Sequence, residues 1–184
     1  KNHLATWIHQ NSSRMEGPFF NINCASIPPS LIESELFGHE HGAFTGTQGQ
    51  KKGLLELSHG GTLLLDEIGD MDPQLQSRLL NFLDDRTLRR VGGAKNIRVY
   101  FFLCDGAHRD IEELVREGHF REDLYYRLQV LTIHVPPLSE RKEDIPILAS
   151  ELLKVLAQEM GIKDTPVLNS AAVTGLLNYA WPGN

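Results

Sequence analysis

At 184 residues the chain is long enough for one domain, or one domain with part of a second, and 41% hydrophobic residues can fill a real core. A net charge of −6 with a pI near 5.7 argues against duplex binding through phosphate neutralisation. Cys24 and Cys104, far apart and without metal-type spacing, read as reduced thiols of a cytoplasmic protein, and no signal peptide or run of about 20 apolar residues points to export or a membrane span.

Leu4, Trp7 and Ile8 share one face of a helix over 2 to about 11, so Lys1 already stands inside a helical pattern. Gly17-Pro18 leads into a short strand over 19–23. Ser30-Leu31-Ile32-Glu33 reads as a capping box, with Gly38 as the helix stop. Residues 38–53 are glycine-rich and aperiodic, which predicts a long loop or hairpin insertion. Residues 62–66 form an apolar run that ends in Asp66-Glu67, the pattern of a buried parallel strand. Asp72-Pro73 starts a helix with Leu75, Leu79, Phe82 and Leu83 on one face. A third strand is expected over 98–104, short helices over 110–117 and 120–127, and a fourth strand over 130–135, stopped by Pro136-Pro137. Helices follow at about 143–160 and 170–179. Strands alternating with helices predict an α/β fold with a parallel sheet, and the helical tail predicts a second subdomain. Both ends read as cuts in a longer chain, because Trp181-Pro182-Gly183-Asn184 stops where another element would begin.

Two acids at the end of a buried strand can serve a nucleotide. A parallel sheet offers ligands at the carboxyl ends of its strands, where one carboxylate can hold Mg²⁺ and the next can take a proton from water. Taken alone, Asp66-Glu67 reads equally well as a strand ending in solvated acids. The surroundings decide between the two. Glu35-Leu36-Phe37-Gly38-His39-Glu40, Gly42-Ala43-Phe44-Thr45-Gly46 and Gly60-Gly61-Thr62-Leu63-Leu64-Leu65-Asp66-Glu67 closely resemble the central AAA+ ATPase domain of sigma-54-dependent transcriptional activators, the bacterial enhancer-binding proteins. Phe120-Arg121-Glu122-Asp123-Leu124, Pro136-Pro137-Leu138 with Glu140-Arg141, and Trp181-Pro182-Gly183-Asn184 extend the likeness across essentially the whole chain.

That resemblance implies an AAA+ P-loop type α/β core over 1–138, with strands in the order 5-1-4-3-2, followed by part of an all-α lid over 139–184. It implies ATP and Mg²⁺ as cofactors. Asp66 would hold the metal, Glu67 would activate water, and Asn23 would restrain Glu67 until a partner is engaged. Lys1 falls on the phosphate-loop lysine, Ala107 on the sensor position, and Arg121 and Arg127 on the arginines that reach a neighbouring subunit's γ-phosphate. Gly42, Ala43, Phe44, Thr45, Gly46 and Thr47 match the loop that contacts sigma-54, and 70–93 matches a second insertion that moves with it. Without the motif, Asn23 would read as a cap at a strand end, and Arg121, Arg127, Arg86, Arg89 and Arg90 as solvated or locally paired charge. The implied partners are sigma-54 RNA polymerase and further copies of the chain in a ring, a hexamer in this family. Promoter-upstream DNA would be met only through a downstream domain, and a sensory domain of response-regulator type would lie upstream.

The chain departs from the family pattern in several places. The glycine-rich phosphate loop and the strand feeding it would lie before Lys1, so these residues alone are not expected to close as a domain or to hydrolyse ATP. Asn2 replaces the usual glutamate, Thr47 the loop's closing alanine, and Ala107 the γ-phosphate-sensing threonine, while Asp105 adds a carboxylate near a polyanionic ligand. The expected function is therefore ATP-driven remodelling of the sigma-54 closed complex by the 42–47 loop. The alternative is a degenerate AAA+ module that binds partners, with or without nucleotide, and does not hydrolyse.

Overall fold

A computed structural model describes residues 1–43, 49–106 and 111–182, with backbone alone at 30 and 102–106. The expectations at Phe44, Thr45, Gly46, Thr47 and Ala107, and at the side chain of Asp105, lie outside the described residues. The chain divides into two compact units, 1–132 and 133–184.

In the first unit, helix α1 (Asn2–Gln10) buries Ala5 and His9 while Trp7 stands 60% exposed. The buried stripe is thus rotated by one residue, about 100°, from the Leu4–Trp7–Ile8 face expected. The reason is a polar contact: His9 Nδ1 lies 2.9 Å from the Thr62 hydroxyl, and its ring packs on Phe19. Strand β1 (Phe19–Asn23) follows, then α2 (Pro29–Phe37). Helix α2 starts on Pro29 with Pro28 at the cap, so Ser30 lies inside the first turn and the expected capping box does not form. A proline at the first helical position needs no N–H partner, and its φ is already helical. Gly38 ends the helix with φ 74°.

The 38–53 insertion is anchored by a two-stranded antiparallel ribbon of β2 (Gly38–His39) and β3 (Lys51–Lys52). Gly38 and Gly53 face each other at its base: a Cβ on Gly53 would overlap the Leu36 carbonyl, and one on Gly38 the Lys51 carbonyl. Helix α3 (Leu54–Leu57) leads to β4 (Thr62–Asp66), whose Leu63 and Leu65 are fully buried. Helix α4 (Pro73–Asp85) is capped by Asp72, whose carboxylate accepts from the N–H groups of Gln74 and Leu75 at 2.9 and 3.0 Å. Its buried face is Leu75, Leu79, Phe82 and Leu83, as the periodicity predicts, with Gln76 added.

The single strand expected over 98–104 is two structures. Strands β5 (Thr87–Leu88) and β6 (Ile97–Arg98) make an antiparallel pair, and only β7 (Phe102–Gly106) joins the main sheet. Between them Val99 donates to the Arg86 carbonyl, and Phe101 stacks on Phe82 with ring centroids 5.6 Å apart. The chain changes partners there because the packing of Phe101 on α4 and the pairing with β5 compete for the same few residues. Helices α5 (Ile111–Arg116) and α6 (Glu122–Leu128) complete the unit.

The main sheet is parallel in the order β1-β4-β7, with Asn23 opposite Asp66 and Asp66 opposite Gly106. The expected fourth strand at 130–135 does not form: Val130 and Leu131 are 86% and 81% exposed, and no described strand pairs with the segment. β-favouring side chains make a strand only where a ladder partner takes up their N–H and C=O groups.

The second unit holds α7 (Ile145–Glu159) and α8 (Ser170–Asn178), preceded by two 3-10 turns. Asn169 caps α8, and Trp181 closes its end by donating from Nε1 to the Leu176 carbonyl at 2.9 Å. No described helix is long and apolar enough to cross a membrane.

Candidate nucleotide site and interaction loops

The in-register parallel ladder brings Asn23, Asp66 and Gly106 side by side at the carboxyl edge of the sheet, with Glu67 one residue beyond. Four buried residues, Thr62 to Leu65, hold β4 in place, so the acids emerge only where the strand ends. Glu67 adopts a left-handed conformation, φ 54° and ψ 45°, and starts a 3-10 turn over Ile68–Asp70. A residue other than glycine in that region costs energy, and such outliers cluster at functional sites. Asn23 caps the turn after β1: its Oδ1 accepts from the N–H groups of Ala25 and Ser26 at 2.9 and 3.1 Å.

The electrostatics of this edge are acidic. The Cys24 thiol, beside Asn23, is pushed up to about 12 by its burial and then by the charges of Asp66, Asp70 and Glu67. It stays protonated near neutrality and is a poor nucleophile.

The other predicted residues lie on different elements. Lys1 caps α1 from outside, its carbonyl accepting the Ala5 N–H at 3.0 Å. Arg121 and Arg127 bracket α6 and bond within their own chain. The Arg121 guanidinium makes a forked pair with Asp123, at 2.9 and 2.7 Å, and touches the Ser77 hydroxyl at 3.1 Å. That pair raises the Arg121 pKa and lowers that of Asp123. Arg127 pairs with Asp84 at 3.2 Å and donates to the Leu83 carbonyl. Both side chains remain nearly half exposed.

Of the loop residues, Gly42 has φ 77° with open space around it, and Ala43 lies under Gly92, where an added Cβ would approach to 3.0 Å. The two insertions are stitched together by backbone hydrogen bonds, Glu40 N–H to the Val91 carbonyl and Val91 N–H to the Gly38 carbonyl. Arg90 fastens the same junction. It is 8% exposed and donates to both oxygens of Glu56, at 2.9 and 2.8 Å, and to Glu40 at 2.9 Å. Burial opposes its charge, but the hydrogen bonds it donates to Glu56 and Glu40 outweigh that and raise its pKa. The Glu40 carboxyl is held below its ordinary value by hydrogen bonds from Gln50 and then Arg90.

Residues 1–134 match the model of the sigma-54 interaction domain, and 139–184 match that of the AAA+ ATPase lid domain. The chain belongs to the sigma-54 interaction domain family. The chain is 47% identical over all 184 residues to the Nif-specific regulatory protein of Herbaspirillum seropedicae, and 48% identical to the DNA-binding transcriptional regulator NtrC of Salmonella typhimurium. It spans 34% and 39% of those two proteins. The crystal structure of NtrX from Brucella abortus superposes with a TM-score of 0.91 at 40% identity, over the whole of this chain and 41% of that one. NtrX in complex with ATP gives 0.89. The fold is thus of the AAA+ P-loop type, a parallel sheet flanked by helices with a helical lid region. Charge patterning missed the Arg90 clamp, because a buried arginine and a solvated one look the same in a sequence; the nearby acids Glu40 and Glu56 were the available signal.

Proposed function

We propose that the chain is the AAA+ motor of a cytoplasmic sigma-54-dependent activator, with the core reaching to 138 and the lid from 139. The observation that carries this reading is the carboxyl edge of the sheet, where register sets Asn23 beside Asp66 and Glu67 follows in a strained left-handed turn. A hard carboxylate donor set suits Mg²⁺, which commonly takes one or two carboxylates plus substrate phosphates. Asp66 would hold that ion, which supplies positive charge to the phosphate oxygens when bound. Glu67 takes the proton from the attacking water, and Asn23 restrains Glu67 beforehand. Lys1, at the start of α1, would meet the phosphates. Arg121 and Arg127 leave their own-chain carboxylates to meet the γ-phosphate of a neighbouring subunit in a ring. The 42–47 loop, carried by the insertion whose Glu40 pairs with Arg90, then pushes on sigma-54 RNA polymerase. DNA contacts belong to another domain of the parent.

The second reading, an AAA+ module without productive hydrolysis, is favoured by Ala107 and Asp105 in the sensor strand. Steady-state ATP hydrolysis by the full-length parent, measured against protein concentration, separates the two. Specific activity that rises with concentration, falls at least about a hundredfold in Glu67→Gln and leaves nucleotide binding intact supports the motor. Nucleotide binding without turnover at any concentration would establish the second reading instead.

A further inference from the structure

Gln76 is a polar side chain with no exposed surface, four residues into α4. Its Nε2 donates to the Met71 carbonyl at 2.7 Å and the His119 carbonyl at 3.1 Å. Its Oε1 accepts the Arg121 backbone N–H at 2.8 Å. One amide thus ties together two segments distant in sequence. The first is the turn that begins at Glu67, since Asp70 N–H bonds to the Glu67 carbonyl and Met71 N–H to that of Ile68. The second is the connection into α6 that presents Arg121, pinned by buried Phe120.

We infer that Gln76 is a positioning residue that couples a subunit's own Glu67 turn to the arginine it lends to the neighbouring subunit. This rests on the shared-site reading above. The physical reason is burial. A buried amide holding three backbone groups away from water keeps those bonds or leaves polar atoms unsatisfied. A displacement of the Glu67–Met71 turn is therefore passed to the Arg121 backbone rather than absorbed. A glutamine is also suited to the task, because one planar group both donates to two carbonyls and accepts from an N–H.

The test uses the full-length parent with Gln76→Met, which removes the amide at nearly constant volume, and Gln76→Glu, which keeps an acceptor for Arg121 N–H and loses the donors. For either variant the inference expects kcat to fall roughly tenfold or more, with the nucleotide Kd within about twofold, and no further fall when the change is added to Arg121→Ala. Mixed rings give the decisive readout. A Gln76→Met subunit has an intact site of its own and a misplaced arginine, whereas a Glu67→Gln subunit has a dead site and a well-placed arginine. Mixing the two is expected to restore hydrolysis above that of either alone, as is mixing Arg121→Ala with Glu67→Gln. Rescue of Arg121→Ala but not of Gln76→Met would overturn the inference and leave the shared site standing. No rescue of either would overturn the shared site and the inference with it. Loss of nucleotide binding in both Gln76 variants would make the residue a core support only, and would also overturn it.

Discussion

Arg90 carries more of the architecture than its place in a run of basic residues suggests. Its guanidinium is satisfied by two carboxylates at low exposure, and the arrangement fits a planar fork better than an ammonium. Arg90→Ala strands Glu56, itself only 14% exposed, and is expected to cost about 3 kcal/mol in urea unfolding at neutral pH. A loss under about 0.5 kcal/mol, the range of ordinary surface changes, would sink the clamp. The pH dependence follows from Glu40. Its folded pKa is depressed, so its contribution is fully present above the unfolded carboxylate pKa of about 4.3 and is lost as pH falls through the lower folded value. The Arg90→Ala penalty should therefore shrink in acid below about pH 4 and stay constant from there to neutrality. Neither effect could be seen from residue types, because burial decides whether an arginine is paired or solvated.

Among the elements, α4 lies where pattern places it. Helix α4 has a proline at N1, an Asp72 cap and an apolar stripe, and all three agree. The base of the first insertion depends instead on space. A Cβ on Gly53 meets the backbone of Leu36 to Gly38, which no side-chain rotation relieves. Gly53→Ala is expected to destabilise the first unit by roughly 1–3 kcal/mol and to loosen the β2–β3 ribbon. Thermal melting together with amide exchange at Gly38 and His39 checks this, and unchanged protection there would contradict it. The division of 98–104 into β6 and β7 was hidden for the opposite reason. Val99, Phe101 and Leu103 alternate as one strand would, but the partners that split them, Arg86 and Phe82, lie on another element.

For the molecule as a whole, the exposed 130–131 pair and the position of β7 at an edge of the described sheet leave apolar side chains and backbone groups without cover. The 184 residues produced alone are expected to bind 8-anilinonaphthalene-1-sulfonate strongly and to unfold with a broad transition. The full-length parent should show weak dye binding and a sharp one. Equal dye binding by the two would show that nothing else in the parent covers the 130–131 pair.

The amino-acid sequence by itself determined the family, the alternation of strand and helix, and the acids at the end of β4. These depend on periodicity and short motifs, which neighbouring residues settle among themselves. Tertiary structure alone decided that Asn23 and Asp66 stand in register, that Arg90 is clamped between two acids, that Gln76 bridges two distant turns, and that 130–135 is no strand. Each of those depends on whether a partner far away in the chain arrives to satisfy a hydrogen bond or exclude water, and no local pattern encodes that arrival.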